Sequence, residues 1–162
     1  MNPYDGIFMV PIGIVESSRS DPVDDDWDRE TTVIRLSDRF DESALWGLDA
    51  FSHIDVVYVF HRVGTDNPDV GARRPRGNPR WPEVGIFAQR AKNRPNRLGV
   101  TTCTLLGVEG RAIAVRGLDA IDGTPVIDIK PYMNEFGPRG AVHQPKWSSE
   151  LMESYWTRRD GN

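Results

Sequence analysis

Two dense stretches decide the fold: R-P-N-R-L-G at Arg94–Gly99 and D-A-I-D-G-T-P-V-I-D-I-K-P-Y at Asp119–Tyr132. The run between them reads as a β-hairpin, Val100–Val108 and Arg111–Gly117, turned at Glu109-Gly110. Side chains alternate along a strand, so Thr101, Cys103 and Leu105 share one face and Thr102, Thr104 and Leu106 the other. Ile113 and Val115 carry the apolar face onto the return arm, and Val126–Ile129 follows as the last clear strand. Pro95 fixes its own φ, Asn96 tolerates a left-handed backbone, and Gly99 lets a ligand approach the chain. Arg90, Arg94 and Arg97 can pair there with a carboxylate or phosphate. In the second stretch Asp119 and Asp122 flank a turn ending in Gly123-Thr124-Pro125, where a carboxylate can take an ammonium or ribose hydroxyls. Asp128 and Lys130 alternate with Ile127 and Ile129 and point away from the apolar face.

Working outward, His53–Val63 is the strongest strand pattern, rich in Val, Tyr, Phe and Ile, and His61 with Arg62 stands at its exit. Ile7–Val15 predicts a strand that opens the core, interrupted by Pro11 and Gly13. Thr31–Leu36 and Val84–Arg90 predict two more, and Asp41–Leu48 a short helix capped by Asp41. A final helix is expected over Glu150–Arg158, capped by Ser148 or Ser149. Its apolar stripe of Leu151, Met152, Tyr155 and Trp156 suits packing or a dimer contact. Two long loops remain. Glu16–Glu30 carries Asp24, Asp25 and Asp26 before Trp27, which can cover a planar ligand or anchor the loop. Gly64–Pro82 carries Arg73, Arg74, Arg76 and Arg80 before Trp81, a cationic arm suited to an RNA backbone or simply a solvated excursion. About seven short strands with little helix add up to an antiparallel barrel or sandwich.

The 162 residues fit one domain, with its core over 7–132 and a C-terminal helical extension over 146–158. A net charge of -4 lacks the footprint of a general nucleic-acid binder, though a local basic face is compatible with it. The single cysteine, Cys103, forbids an intrachain disulfide and suits a reducing compartment. It reads as a small buried residue, because no base is evident nearby. No apolar run is long enough for a membrane span and no signal peptide is evident, so a cytoplasmic location is expected. The acidic run lacks a spaced ligand pattern, so no metal site is expected. The dinucleotide, P-loop, zincin, C-x-x-C and G-x-S-x-G signatures are all missing.

At the residues just quoted the chain resembles the TsaA/TrmO-like family, a non-Rossmann β-barrel family of methyltransferases that use S-adenosylmethionine. The resemblance is carried in order by P-I-G-I-V at Pro11–Val15, G-L-D-A-F-S-H-I at Gly47–Ile54 and V-Y-V-F-H at Val57–His61. It continues with G-I-F-A-Q-R at Gly85–Arg90, R-P-N-R-L-G-V at Arg94–Val100 and the long run Gly117–Tyr132. It implies a small antiparallel β-barrel with short peripheral helices, working as a homodimer. It also implies methylation of the exocyclic amine of threonylcarbamoyladenosine beside the anticodon of tRNA. The implied cofactor contacts are His61, Arg62, Arg90, Leu98, Gly99, Val100, Asp119, Ala120, Ile121 and Asp122, with the loop near Asp24–Trp27 adding to them. Asp122 and Tyr132 are the expected groups near the acceptor amine. The RNA-facing candidates are Arg73, Arg74, Arg76, Arg94, Asn96 and Lys130. Two departures stand out: Arg97 and Leu98 occupy positions where the family usually has Pro and Ile, and the chain is expected to go without the further C-terminal domain that some members carry. The same barrel can also serve a small-molecule acceptor, or bind S-adenosylmethionine without catalysis.

Overall fold

The computed structural model describes residues 6–156. Among the described residues lie eight strands: β1 Gly13–Glu16, β2 Thr31–Leu36, β3 His53–Val59, β4 Ala72–Arg73, β5 Val84–Gly85, β6 Leu98–Glu109, β7 Ala112–Arg116 and β8 Pro125–Pro131. Six of them close a barrel in the order β1-β2-β7-β6-β3-β8, with β8 pairing back onto β1. Every neighbouring pair in it is antiparallel. The short β4 and β5 form a separate ribbon. Closure leaves the barrel without open sheet edges. Among the described residues no helix is long and apolar enough to cross a membrane.

The interior is filled by one register of each strand. In β3, Ile54, Val56 and Tyr58 are buried, and they alternate with Asp55, Val57 and Val59 on the outer side. Val15, Ile34, Cys103, Ile113, Val115 and Val126 fill the same core from the other five barrel strands. Cys103 lies against the carbonyl of Ile54, and burial pushes its thiol up to about 12, so it acts as a core residue and not as a nucleophile. The β6–β7 hairpin forms where expected, with Gly110 at φ 56° in its turn. A bulge between Leu105 and Gly107 adjusts its register.

Five elements differ from the sequence expectation. Of Ile7–Val15 only Gly13 onward is strand. Hydrogen bonds hold the chain back to Ile12, Pro11 has no N–H to offer, and Ile7 and Phe8 are fully exposed. The strand at His53 stops at Val59, because Phe60 N–H turns to the carbonyl of Arg97, 2.8 Å away. Val84–Arg90 is two residues of strand and a 3-10 turn, Ile86–Ala88. The buried amide of Gln89 ties this corner to the carbonyls of Arg73 and Val84. The C-terminal helix, α1, spans Lys146–Leu151 and continues as a 3-10 turn, Met152–Ser154. It starts after Pro145, and the Ser148 hydroxyl donates back to the Pro145 carbonyl instead of capping a later start. The expected end at Arg158 falls outside the described residues. The helix expected near Asp41 is two 3-10 turns separated by Gly47, with Asp41 accepting from the Ser43 N–H as a cap should.

Candidate active site

Antiparallel closure decides which loops meet. The ends of β1 and β3, the start of β6 and the β7–β8 connection all reach the same rim. This brings His61, Arg62, Leu98–Val100 and Asp119–Asp122 together, with Arg90 joined to them through the Val100 carbonyl at 2.6 Å. Tyr132 does not belong to this group. It follows β8 at the opposite rim, where its N–H bonds the carbonyl of His53 at 3.0 Å. Asp122 and Tyr132 therefore cannot act on one amine within a barrel. Lys130 also lies toward that far rim, paired with Asp128 at 2.8 Å.

Asp119 is the centre of the near rim. Tyr58 stands inside the barrel, 1% exposed, and its hydroxyl donates to Asp119 Oδ1 at 2.7 Å. The Thr101 hydroxyl donates to the same oxygen, and the Tyr155 hydroxyl donates to Oδ2. Burial and the Asp119 charge push both phenols well above their ordinary range, so they remain donors. Gly99 serves this arrangement in a way the sequence did not suggest. A Cβ there would lie 2.4 Å from the Tyr58 ring, so its missing side chain makes room for Tyr58 and not for a ligand.

A second group surrounds Asp122. Its Oδ1 accepts the Ser17 N–H at 3.0 Å, its own N–H bonds the Arg19 carbonyl at 2.8 Å, and Gly123 N–H bonds Val15 at 2.8 Å. Gly123 sits at φ 75°, and a Cβ there would come 3.7 Å from His61 Nε2. The other ring nitrogen of His61 faces the Thr124 hydroxyl at 3.4 Å. Burial, with Arg62 beside it, holds the imidazole below its ordinary pKa against the opposing pull of Asp122.

Most arginines here grip backbone. Arg62 bonds the Ser20 carbonyl at 2.7 Å, Arg94 that of Gln89 at 2.7 Å and Arg97 that of Val63 at 3.1 Å. Asn96 and Arg97 both adopt left-handed backbone, at φ 56° and 51°. Asn96 was expected there; Arg97 is the addition. The arginine loop is also engaged. Arg73 pairs with Asp69, Arg76 with Asp25 at 3.0 Å, and Arg74 bonds the Trp81 carbonyl. The Arg76–Asp25 pair fastens the basic segment to the acidic loop, which Lys92 also holds through Asp24 at 3.2 Å. Trp27 anchors that loop. It is buried, its ring lies 3.7 Å beneath the Arg19 guanidinium, and its indole N–H has no hydrogen-bond partner among the described residues. Beside it opens a cavity of about 470 Å³ lined by Arg19, Ser20, Asp21 and Asp25.

Tyr58, Thr101 and Tyr155 were missed as site residues. The first two carried a usable signal: a hydroxyl on the inward register of an apolar strand must find a buried partner. The sequence profile of the tRNA-methyltransferase O N-terminal domain matches residues 16–137. The chain belongs to this family. A human tRNA (adenine(37)-N6)-methyltransferase is 41% identical over 116 residues, 72% of this chain and 26% of that protein. A Methanothermobacter thermautotrophicus relative named "Probable S-adenosyl-L-methionine-binding protein" is 39% identical over 134 residues, 80% of this chain and 93% of that one. The crystal structure of TrmO from Pseudomonas aeruginosa superposes with a TM-score of 0.70 at 27% identity, over 86% of this chain and 62% of that one. The chain thus spans about a quarter of the human relative and under two thirds of the crystallised TrmO. The family's barrel is the one observed. Tyr155 lies beyond the matched stretch.

Proposed function

We propose that the near rim binds S-adenosylmethionine and that the chain methylates the N6 amine of adenine 37 in tRNA, with the threonylcarbamoyl-modified base as acceptor. The observation that carries this reading is the convergence of His61, Asp119, Asp122 and the Leu98–Val100 backbone on one rim. The residues suit the cofactor. The carboxylates of Asp119 and Asp122 can take its ammonium and ribose hydroxyls, and the unpartnered Trp27 N–H is a buried donor in want of an acceptor. When bound, S-adenosylmethionine supplies a sulfonium methyl for in-line attack by an amine nitrogen, the C–S electron pair leaving to sulfur.

The rest falls to the chain's own groups. Asp119, held by hydroxyls on both oxygens, keeps one orientation. His61, its pKa lowered by burial and Arg62, is neutral at physiological pH and can accept the proton the amine loses. Asp122 accepts the Ser17 N–H on Oδ1, which fixes its position, and keeps Oδ2 toward the site.

A second reading is a barrel of the same kind acting on a small molecule, or binding S-adenosylmethionine alone. The internal pairing of Arg73, Arg74 and Arg76 favours it, as does the naming of the archaeal relative. Exposed Phe87, Val100 and Trp46 offer surface for a homodimer, and the reduced, buried Cys103 suits the cytoplasm. Two measurements test the proposal. Calorimetry should detect S-adenosylmethionine binding, and mass spectrometry of tRNA nucleosides should lose the N6-methylated product in cells without the protein. Binding with unchanged nucleosides would leave the second reading in place of the first.

A further inference from the structure

The outer oxygen of Asp119 is reached by a residue from a part of the chain that the family profile does not cover. Oδ1 already accepts from Tyr58 and Thr101, and Oδ2 accepts from Tyr155. A carboxylate offers about four acceptor positions, so one is left on Oδ2, and Tyr155 determines the direction in which it points. Tyr155 is itself firmly seated. Its carbonyl takes the Trp27 N–H at 3.1 Å, the Ser154 carbonyl takes the Asp26 N–H at 3.3 Å, and its ring meets Trp156 edge-on at 5.1 Å. Further back, Trp81 Nε1 donates to Glu150 at 2.8 Å and fixes α1 to the arginine loop. A second, independent observation lies at the same place. Trp27, whose backbone Tyr155 holds, carries a buried indole N–H without a partner among the described residues. Tyr155 thus links Asp119, through its hydroxyl, to the backbone of Trp27, through its carbonyl.

We propose that Ser154–Trp156 is a wall of the ligand site and that Tyr155 is a positioning residue, aiming the free acceptor position of Asp119 at a nucleoside- or amino-acid-bearing ligand. This rests on the reading that Asp119 contacts S-adenosylmethionine. Tyr155 leaves the remaining position on Oδ2 open, so it orients the carboxylate and does not compete for it.

The test is calorimetry with S-adenosylmethionine on the full chain, alongside thermal melting. Tyr155→Phe keeps the ring packing and the Trp27 contact and removes only the hydroxyl on Asp119. It should weaken binding about tenfold with little change in melting temperature. Glu150→Ala frees α1 from Trp81 without touching Asp119, and should change the dissociation constant by less than about twofold. Tighter or unchanged binding in Tyr155→Phe overturns the proposal, and so does an equal loss in Glu150→Ala, which would mean that the segment acts only through its packing. Failure of the unaltered protein to bind S-adenosylmethionine strikes the parent reading instead, and this inference falls with it.

Discussion

The two rims of one barrel are built on opposite plans. At the near rim, polar groups from β3, β6, the β7–β8 connection and the C-terminal segment meet on Asp119, and arginines hold the surrounding loops by their carbonyls. At the far rim a groove of about 430 Å³ is lined by Phe40, Trp46, Leu48, Phe51 and Ile129. Trp46 is 82% exposed and Phe136 nearby in sequence to Tyr132 is 83% exposed. A polar network tolerates one geometry, because each buried hydroxyl or carboxylate must find its partner, whereas apolar surface is non-directional. The near rim is therefore held to one geometry, and the far rim is not. The same closed sheet supports both, because only the loops differ.

That contrast breaks most severely at Gly99. Gly99→Ala drives a Cβ into the Tyr58 ring and should cost about 3 to 4 kcal/mol in denaturant unfolding. Asp119→Ala strips the acceptor from three hydroxyls at once. It should cost about 2 to 3 kcal/mol of stability by the same assay and abolish S-adenosylmethionine binding, whereas Asp119→Asn, which keeps an acceptor, should recover much of the stability but not the affinity. His61→Gln should lower methyl transfer about a hundredfold. In the unaltered protein the rate should fall as pH drops and His61 gains its proton. Its pKa is lowered, so that acid limb should lie below the ordinary value of 6.5, and a limb above it would refute the assignment. Arg76→Ala releases the partly exposed pair with Asp25 and should cost less than about 1 kcal/mol. If the arginine loop grips RNA, a gel-shift titration of tRNA will weaken and lose salt dependence in the same variant. Trp46→Ser, on the far rim, should leave stability and cofactor affinity unchanged and register only in a sedimentation measurement of self-association.

The barrel was readable because its strands keep strict alternation. Ile54, Val56 and Tyr58 face inward in β3 as their spacing demands, and Glu109-Gly110 makes the turn. Ile7–Val10 misled because apolar composition does not supply a pairing partner. His61, Arg62 and the Asp119–Asp122 turn meet at one rim, an outcome for which the resemblance gave the residues and antiparallel closure the physical reason. Tyr132 went astray because one short strand separates it from that turn in sequence, while the length of the strand carries it across the barrel. Tyr155 was placed on an apolar stripe, and nothing local in W-S-S-E-L-M-E-S-Y-W announces a carboxylate 36 positions away.

The Asp119 node joins partners separated by 61, 18 and 36 positions along the chain. The two longer contacts need distant strands and the C-terminal segment in place, so the complete node should assemble only once those pairings close. Ligand affinity should then appear in refolding experiments as a late and all-or-none event. A bound ligand at a hundred times its dissociation constant would add about 2.7 kcal/mol against unfolding. The cell would thereby gain a folded population that tracks its supply of methyl donor.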